Sequence, residues 1–451
     1  MSTKKNFTSE FSRREFIKKS SRASAAATAL GLGLAASRQA SAKVHDTIRA
    51  AVIGVKGRGG GHMSGLEGLD GVEVVAICDV DENILNRQAD EFDKKTGRKV
   101  ARHIDLRKVM DDKSIDVVSI ATPNHWHSLA AIWACQAGKD VYVEKPCSHN
   151  VCEGRQLVNA ARYYDRIVQH GTQIRSSEGV REAIQMLHDG IIGDVYYAKG
   201  TCYKWRNTIG RKPDSAPPEG AHYDLWLGPA PERAFSQNRW HYNWHWHWDY
   251  GNGDIGNQGV HQMDVARWGL GVGLPKRVQA MGGKFMFDDD QETPNTLISS
   301  FEYPGATPTQ KKMLVFEVRH WISNEEAGQS VGAGNGVGNV FLGSDGILVI
   351  PSYNSYQFYM GRKKELGPSR SAGGDHFANF IGAVRKHDRS ILNAEIEEGH
   401  LSSALCHFAN VAYLKGETLE IDAGSEKCVN ADTNHLLTRE YRDPYLLPSI
   451  V

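Results

Sequence analysis

The chain has no excess of charge of either sign: 53 Lys and Arg face 53 Asp and Glu over 451 residues. Eight of the basic residues and only two of the acids lie in the first 42, so the remainder is mildly acidic. No basic run offsets this, which argues against non-specific binding to nucleic acid or to anionic membranes. An apolar run of about 20 residues, the length that spans a bilayer, is also missing. The apolar stretch from Ala23 to Ala36 is shorter and is interrupted by Thr28 and glycines. Cysteine is sparse. The seven are scattered between Cys78 and Cys428, an odd count with no paired spacing, so no disulfide framework is predicted. Those in apolar strand or helix patterns read as small core residues. Cys147 and Cys152 offer no more than a weak case for a nucleophilic thiol.

What is present begins with an address. Ser12-Arg13-Arg14-Glu15-Phe16-Ile17 holds a twin-arginine pair, the alanine-rich stretch follows, and Ala40-Ser41-Ala42 supplies a small-residue cleavage site. Residues 1–42 are therefore expected to be a twin-arginine signal peptide. The mature chain would start near Lys43 in the periplasm, or be otherwise exported, with no membrane anchor after cleavage. That route carries proteins already folded, so a cofactor would be loaded before transit and held tightly afterwards.

The remaining 400 or so residues exceed one ordinary core and predict two domains. Ile48 to Ile53 is a short apolar run that ends in Gly54-Val55-Lys56-Gly57-Arg58-Gly59-Gly60-Gly61, with a helix-compatible segment from His62. Glycines Gly54, Gly57 and Gly59 let backbone approach a pyrophosphate at a helix N-terminus. Lys56 stands where the G-x-G-x-x-G fingerprint has its second glycine; either the turn shifts to use Gly57, or the lysine itself tolerates the conformation. The next strand, Val72 to Cys78, ends on Asp79, placed to accept hydrogen bonds from an adenosine ribose. A carboxylate there favours NAD over NADP, a preference that Lys56 and Arg58 dilute. Further strands at Ile115–Ala121 and Val141–Val143 alternate with helical patterns, which predicts a doubly wound parallel sheet. The domains are drawn at residues 43–165, a Rossmann dinucleotide-binding domain, and 166–451.

Glu144-Lys145-Pro146 closes a strand, with Ala121-Thr122-Pro123-Asn124 and His127 upstream. Gly253 to Asp264 and Asp375-His376-Phe377-Ala378-Asn379-Phe380 add two further matches. Together these motifs resemble the Gfo/Idh/MocA oxidoreductase family over essentially the whole mature chain. The resemblance implies an α/β fold: a Rossmann domain plus a C-terminal α/β domain with an open, mostly antiparallel sheet, often used in homo-oligomerisation. It implies that Thr122, Asn124, His127, Glu144 and Lys145 contact the cofactor. It also implies that Lys145, beside nicotinamide and the substrate hydroxyl, and His261, as acid/base, are the catalytic pair. The family's acid four residues before that histidine is Asn257 here, and an amide cannot carry its charge. Asp264, three residues after His261 on the same helical face, is expected to hydrogen-bond it instead. Asn257 and Asp264 are both assigned to the substrate side.

Seven of the ten tryptophans lie between Trp205 and Trp268, most densely over Trp240 to Trp248. Rigid aromatic faces with polar edges suit sugar rings, so Tyr203, Trp205, Arg206, Trp244 and His245 are candidate substrate contacts. The alternative is that the tryptophans fill an interdomain core, Trp268 first among them. His241, His245, His247 and Asp249 fit no zinc spacing, and no metal is expected. The stretch from Gly328 to Gly338 lacks a phosphate-loop lysine and reads as a mobile surface loop. Two courses remain open: a nicotinamide-dependent oxidoreductase of a sugar, polyol or glycoside, or an NAD-dependent glycoside-cleaving enzyme that oxidises, eliminates, hydrates and reduces with no net redox change. Export favours a self-restoring cycle, because free nicotinamide is not expected outside the cytoplasmic membrane.

Overall fold

The computed structural model describes residues 47–305, 307, 310–321 and 336–449. The twin-arginine segment and most of the Gly328–Gly338 stretch lie outside these residues.

The first half alternates strands and helices: β1 (Ile48–Ile53), α1 (Arg58–Glu67), β2 (Val72–Cys78), α2 (Glu82–Thr96), β3 (Ala101–His103), α3 (Leu106–Asp111), β4 (Val117–Ile120), α4 (Asn124–Gln136), β5 (Asp140–Val143), α5 (Val151–Tyr163) and β6 (Val168–His170). The six strands pair in parallel in the order β3-β2-β1-β4-β5-β6. Nearly every residue of β1, β4 and β5 is buried, as expected for strands covered by helices on both faces. The strand order reverses between β1 and β4, and such a switch point opens a crevice at the strands' C-terminal ends. The sheet runs past the boundary drawn at residue 165, because β6 begins at Val168.

The chain continues through α6 (Glu178–His188), β7 (Tyr197–Tyr203), α7 (Tyr223–Leu227) and α8 (Val260–Leu270). Strands β8 (Arg277–Gly283), β9 (Thr296–Tyr303), β10 (Lys312–Arg319), β11 (Gly336–Leu342), β12 (Gly346–Ile350), β13 (Ser355–Met360) and β14 (Glu365–Ser371) follow. Then come α9 (His376–Lys386), α10 (Ile396–Lys415), β15 (Leu419–Asp422) and β16 (Lys427–Cys428). These ten strands form one sheet in the order β14-β13-β12-β11-β7-β10-β9-β8-β15-β16. Only β7 and β10 pair in parallel; the other neighbours are antiparallel. Gly336, Val337 and Gly338 are therefore strand rather than loop. One face of the sheet buries Leu297, Phe301, Leu314, Phe316 and Val318 with residues of α6, α8 and α10. The other face is open, exposing Met281 (82%), Ile298 (51%) and Met313 (43%). Among the described residues no helix is long and apolar enough to cross a membrane.

Candidate functional site

At the crevice, β1 hands over to a turn that only glycine satisfies in two places. Gly54 has φ +80°, and a Cβ there would lie 2.7 Å from the Ala121 carbonyl oxygen. Gly57 has φ +65° and precedes α1, with open space where its Cβ would be. The turn thus uses Gly57, and Lys56 keeps an ordinary φ with its side chain at the cleft edge. Gly59 plays a different part: a Cβ would meet the Gly54 carbonyl at 1.8 Å, so this glycine lets α1 pack onto β1 and does not line the cleft. No side chain caps the N-terminus of α1, which leaves backbone N–H groups and the helix dipole for a phosphate. Asp79 accepts from the Val55 N–H (2.9 Å) and the Asp81 N–H (3.1 Å). Burial pushes its carboxyl up to about 6 despite those bonds. Thr122 Oγ1 is buried without a protein partner. An open glycine cradle, an uncapped helix and an unpaired hydroxyl along one cleft fit a dinucleotide.

The cleft, about 480 Å³, continues from this turn to Lys145 and His261. Glu144 is buried at the end of β5, where its carboxylate accepts from Arg58 Nε (2.8 Å), lies 3.0 Å from His62 Nε2 and accepts the Lys145 N–H (3.1 Å). Burial alone would raise this acid; His62, Arg58 and Lys145 hold it well below the carboxylate range. Glu144 therefore braces α1 and the Lys145 loop, its oxygens already engaged. His127 is buried likewise, with Nδ1 2.5 Å from the Pro146 carbonyl and Nε2 2.7 Å from that of Thr122. Asn124 donates to Asn252 (3.0 Å). These two residues tie α4 to the cleft's walls, which they help to line.

Lys145 Nζ donates to the Asn257 carbonyl at 2.5 Å. Burial lowers its pKa, Glu144 opposes that, and Lys204 adds to it. His261, near the start of α8, is 4% exposed. Burial and the neighbouring Lys145 charge push it well below the usual imidazole range, and its Nδ1 has no protein partner. A neutral imidazole and an amine of lowered basicity thus share one floor, a pair suited to moving protons. Asp264 is not bonded to His261. It accepts from Arg175 Nε (2.8 Å) and from Ser402 Oγ (2.6 Å), away from the cleft, because α8 turns that residue towards α10.

The aromatic belt divides. Trp226, Trp240, Phe235 and Tyr250 form a small core, and Trp226 and Trp240 also reach the cleft wall. Trp268 packs against the sheet's core. Trp244 and His245 line the cleft, their rings stacked with centroids 3.6 Å apart. Asn257 lines it too. Tyr203 does not: it is fully buried, and its hydroxyl donates to Glu317 at 2.9 Å. Trp205 lies 57% exposed beside Trp321, off the cleft. Arg206 is spent on Asp254, with Nε at 2.7 Å and Nη2 at 3.0 Å. His241 pairs with Asp81 (3.1 Å) and His247 with Glu292 (3.2 Å), while His245 Nδ1 lies 2.5 Å from the Tyr242 carbonyl. Among the described residues no group of three or more His, Cys, Asp or Glu is placed to hold a metal. All seven cysteines are unbridged, and burial raises the Cys147 thiol to about 11, which makes it a poor nucleophile.

Several residues at or behind the cleft had no role assigned from the sequence. His62, which sits in the helix after the glycine turn, braces Glu144 from behind, and Asp254 lies inside a quoted motif. Trp226, Trp240 and His241, all in the aromatic belt, reach the cleft, and so do Leu225 and Tyr445, which carry no local pattern that says so.

Residues 48–172 match the family model described as "Oxidoreductase family, NAD-binding Rossmann fold", and residues 178–281 match "Oxidoreductase family, C-terminal alpha/beta domain". A glycosyl hydrolase family 109 protein of Saccharopolyspora erythraea is 29% identical over 165 residues, 35% of each chain. One from Solibacter usitatus is 30% identical over 208 residues, 43% of this chain and 45% of that protein. The chain thus spans less than half the length of either relative. Among solved structures, levoglucosan dehydrogenase in complex with NADH and L-sorbose superposes with a TM-score of 0.63 at 16% identity, covering 83% of this chain and 99% of that one. The WlbA dehydrogenase of Bordetella pertussis, bound to NADH and UDP-GlcNAcA, gives 0.60 at 18% identity, with coverage of 83% and 99%.

Proposed function

The chain belongs to the Gfo/Idh/MocA family of oxidoreductases, and from that premise we propose that it acts on a sugar, polyol or glycoside with a tightly held NAD. The observation that carries this is the shared floor: Lys145, bonded to the Asn257 carbonyl, beside His261 with its free Nδ1, at the inner end of a cleft that begins at the glycine turn. Gly54, Gly57, the α1 N-terminus, Asp79 and Thr122 would hold the dinucleotide. Bound there, the nicotinamide would take a hydride from a sugar C–H and give it back. Lys145 takes the hydroxyl proton at Nζ, and its lowered basicity returns that proton readily. His261, kept neutral, accepts or donates the second proton. Trp244 and His245 offer a flat face for the ring.

The glycosyl hydrolase family 109 relatives favour a second course on the same residues, glycoside cleavage without net oxidation. A carbonyl formed on the ring acidifies the neighbouring C–H; a base removes that proton, the leaving group departs and water adds. Export by the twin-arginine pair Arg13 and Arg14 belongs to this proposal and is checked by cell fractionation. So does assembly of copies across the open sheet face, checked by light scattering.

The protein purified without added NAD is expected to carry nicotinamide, seen by absorbance and mass, and to release 4-nitrophenol from an aryl glycoside. Lys145→Ala should cut the rate by about 10²- to 10⁴-fold while the cofactor stays bound. Unchanged release in Lys145→Ala overturns the assignment. Net NADH from a free sugar with no aryl release selects the dehydrogenase course. Solvent deuterium at C2 of the recovered sugar selects elimination.

A further inference from the structure

Four residues before His261 stands Asn257, an amide where an acid is expected. A carboxylate is nevertheless present one turn earlier. We propose that Asp254 replaces the missing acid and positions Lys145 through Asn257. The proposal rests on Lys145 being the proton-handling amine of the site.

Two hydrogen bonds carry it. Lys145 Nζ donates to the Asn257 backbone carbonyl (2.5 Å), and the Asn257 Nδ2 donates to Asp254 Oδ1 (2.9 Å). One residue thus grips the amine with its main chain and the carboxylate with its side chain. Both bonds fall on the wide π-turn Ile255–Gly259 that leads into α8, a geometry that recurs at functional sites. Asp254 is 1% exposed, and a carboxylate so far from water must be met by donors. Arg206 meets it with two nitrogens, His320 Nε2 lies 2.7 Å away, and Asn257 completes the set. Arg206 is itself held over the Trp246 ring, 4.9 Å from its centroid. The carboxylate is therefore fixed from behind by Arg206 and His320 and presents its remaining bond to Asn257. An acid at 257 would meet Asp254 as a second buried negative charge, so the amide and Asp254 form a consistent pair.

The charged and titratable groups around Lys145 are Glu144 beside it, Arg58 from α1, His127 from α4, Lys204 after β7, His245 from the aromatic segment, His261 from α8, the Cys406 thiol from α10 and Asp254. Those around Asp254 are Arg206, His320, the Cys202 thiol at the end of β7, His245 and, through Asn257, Lys145. The test alters only positions 254 and 257, with 206 in a control.

The NAD-loaded protein is modified with acetic anhydride across pH, and Lys145 labelling is read by mass spectrometry. In Asp254→Asn the labelling midpoint should fall by about half a pH unit or more, because a favourable negative charge is lost. In the exchange variant Asp254→Asn/Asn257→Asp it should return. On an aryl glycoside, kcat should fall about tenfold in the single variant with KM little changed, equivalent to about 1.4 kcal/mol, and recover in the exchange. A folded Asp254→Asn with an unmoved midpoint overturns the proposal, as does an equal fall in both variants, which would make Asp254 only a brace for Arg206. If Asp254→Asn does not fold, Asp254→Asn/Arg206→Gln leaves no stranded guanidinium and must show the same fall. A wild-type protein with no turnover on any sugar or glycoside overturns the proposed function, while the labelling result still decides the role of Asp254.

Discussion

At Asp79 burial and hydrogen bonding pull in opposite directions, and burial wins: the carboxyl is raised to about 6. Above that pH it is ionised and can accept from ribose hydroxyls; below it, the proton it binds blocks that role. NAD affinity should therefore fall by up to about tenfold per pH unit as pH drops below about 6, and Asp79→Asn should flatten the profile. Equilibrium titration with NAD between pH 4.5 and 8 measures both. His261 and Glu144 are shifted for related reasons with different results. Each is enclosed, but Glu144 has cationic partners and stays charged, whereas His261 has a cationic neighbour and stays neutral. The types and positions of these side chains are legible in the sequence. The sign of each shift is not, because it depends on who surrounds the group.

At the scale of elements, the parallel strands and the glycine turn are legible because their signals are local: runs of buried apolar residues, and backbone angles that glycine alone adopts without strain. The face that a helix turns to a given partner is less so. Spacing puts Asp264 near His261 on α8, yet the neighbouring elements supply Arg175 and Ser402, and a buried guanidinium outcompetes a neutral imidazole for a carboxylate. Arg175 and Arg267 also share Glu398, so α8 and α10 are joined through ions. Asp264→Ala should accordingly act on stability and not on substrate binding. We expect a loss of about 1.5–3 kcal/mol from the lost charged hydrogen bonds, with Arg175 still paired to Glu398, read by urea unfolding, with KM of the folded fraction unchanged. A raised KM at full stability would restore the substrate role. Tyr203 and Trp205 also depend on their surroundings: Tyr203 is the last residue of β7 and is buried against Glu317, whereas Trp205 lies two residues past the strand's end and is exposed. Neither residue lines the cleft.

At the scale of the whole molecule the two domains are less separate than the chain order suggests. Phe380 and Ile381 of α9 pack into the core around β1 and β2, and Tyr445 packs into the core around β4 and α4. The segment after β7 crosses to the first domain as well: His222 N–H donates to the Val80 carbonyl (2.8 Å), and Glu82 N–H to that of Gly220 (2.9 Å). Leu225, Trp226, Trp240, His241 and Tyr445 thereby wall the dinucleotide end of the cleft. Enclosure of this kind slows escape. Tyr445, edge-on to Trp126 at 5.4 Å, should contribute: Tyr445→Ala is expected to speed NAD dissociation about three- to tenfold, measured by fluorescence on dilution into a NAD-trapping enzyme. No change would remove Tyr445 from the retaining wall.

The parallel, doubly wound first domain and the presence of a glycine turn after β1 were legible in the sequence alone, because each is written within a few consecutive residues, and Lys145 and His261 stand in motifs that the family resemblance marks. Only the tertiary structure decided that Asp264 braces the core, that the tryptophan belt divides between core, cleft wall and surface, and that Asp254 reaches Lys145 through Asn257. Those outcomes depend on which buried charge finds which partner across long stretches of chain, and a desolvated charge takes the strongest partner that folding brings to it.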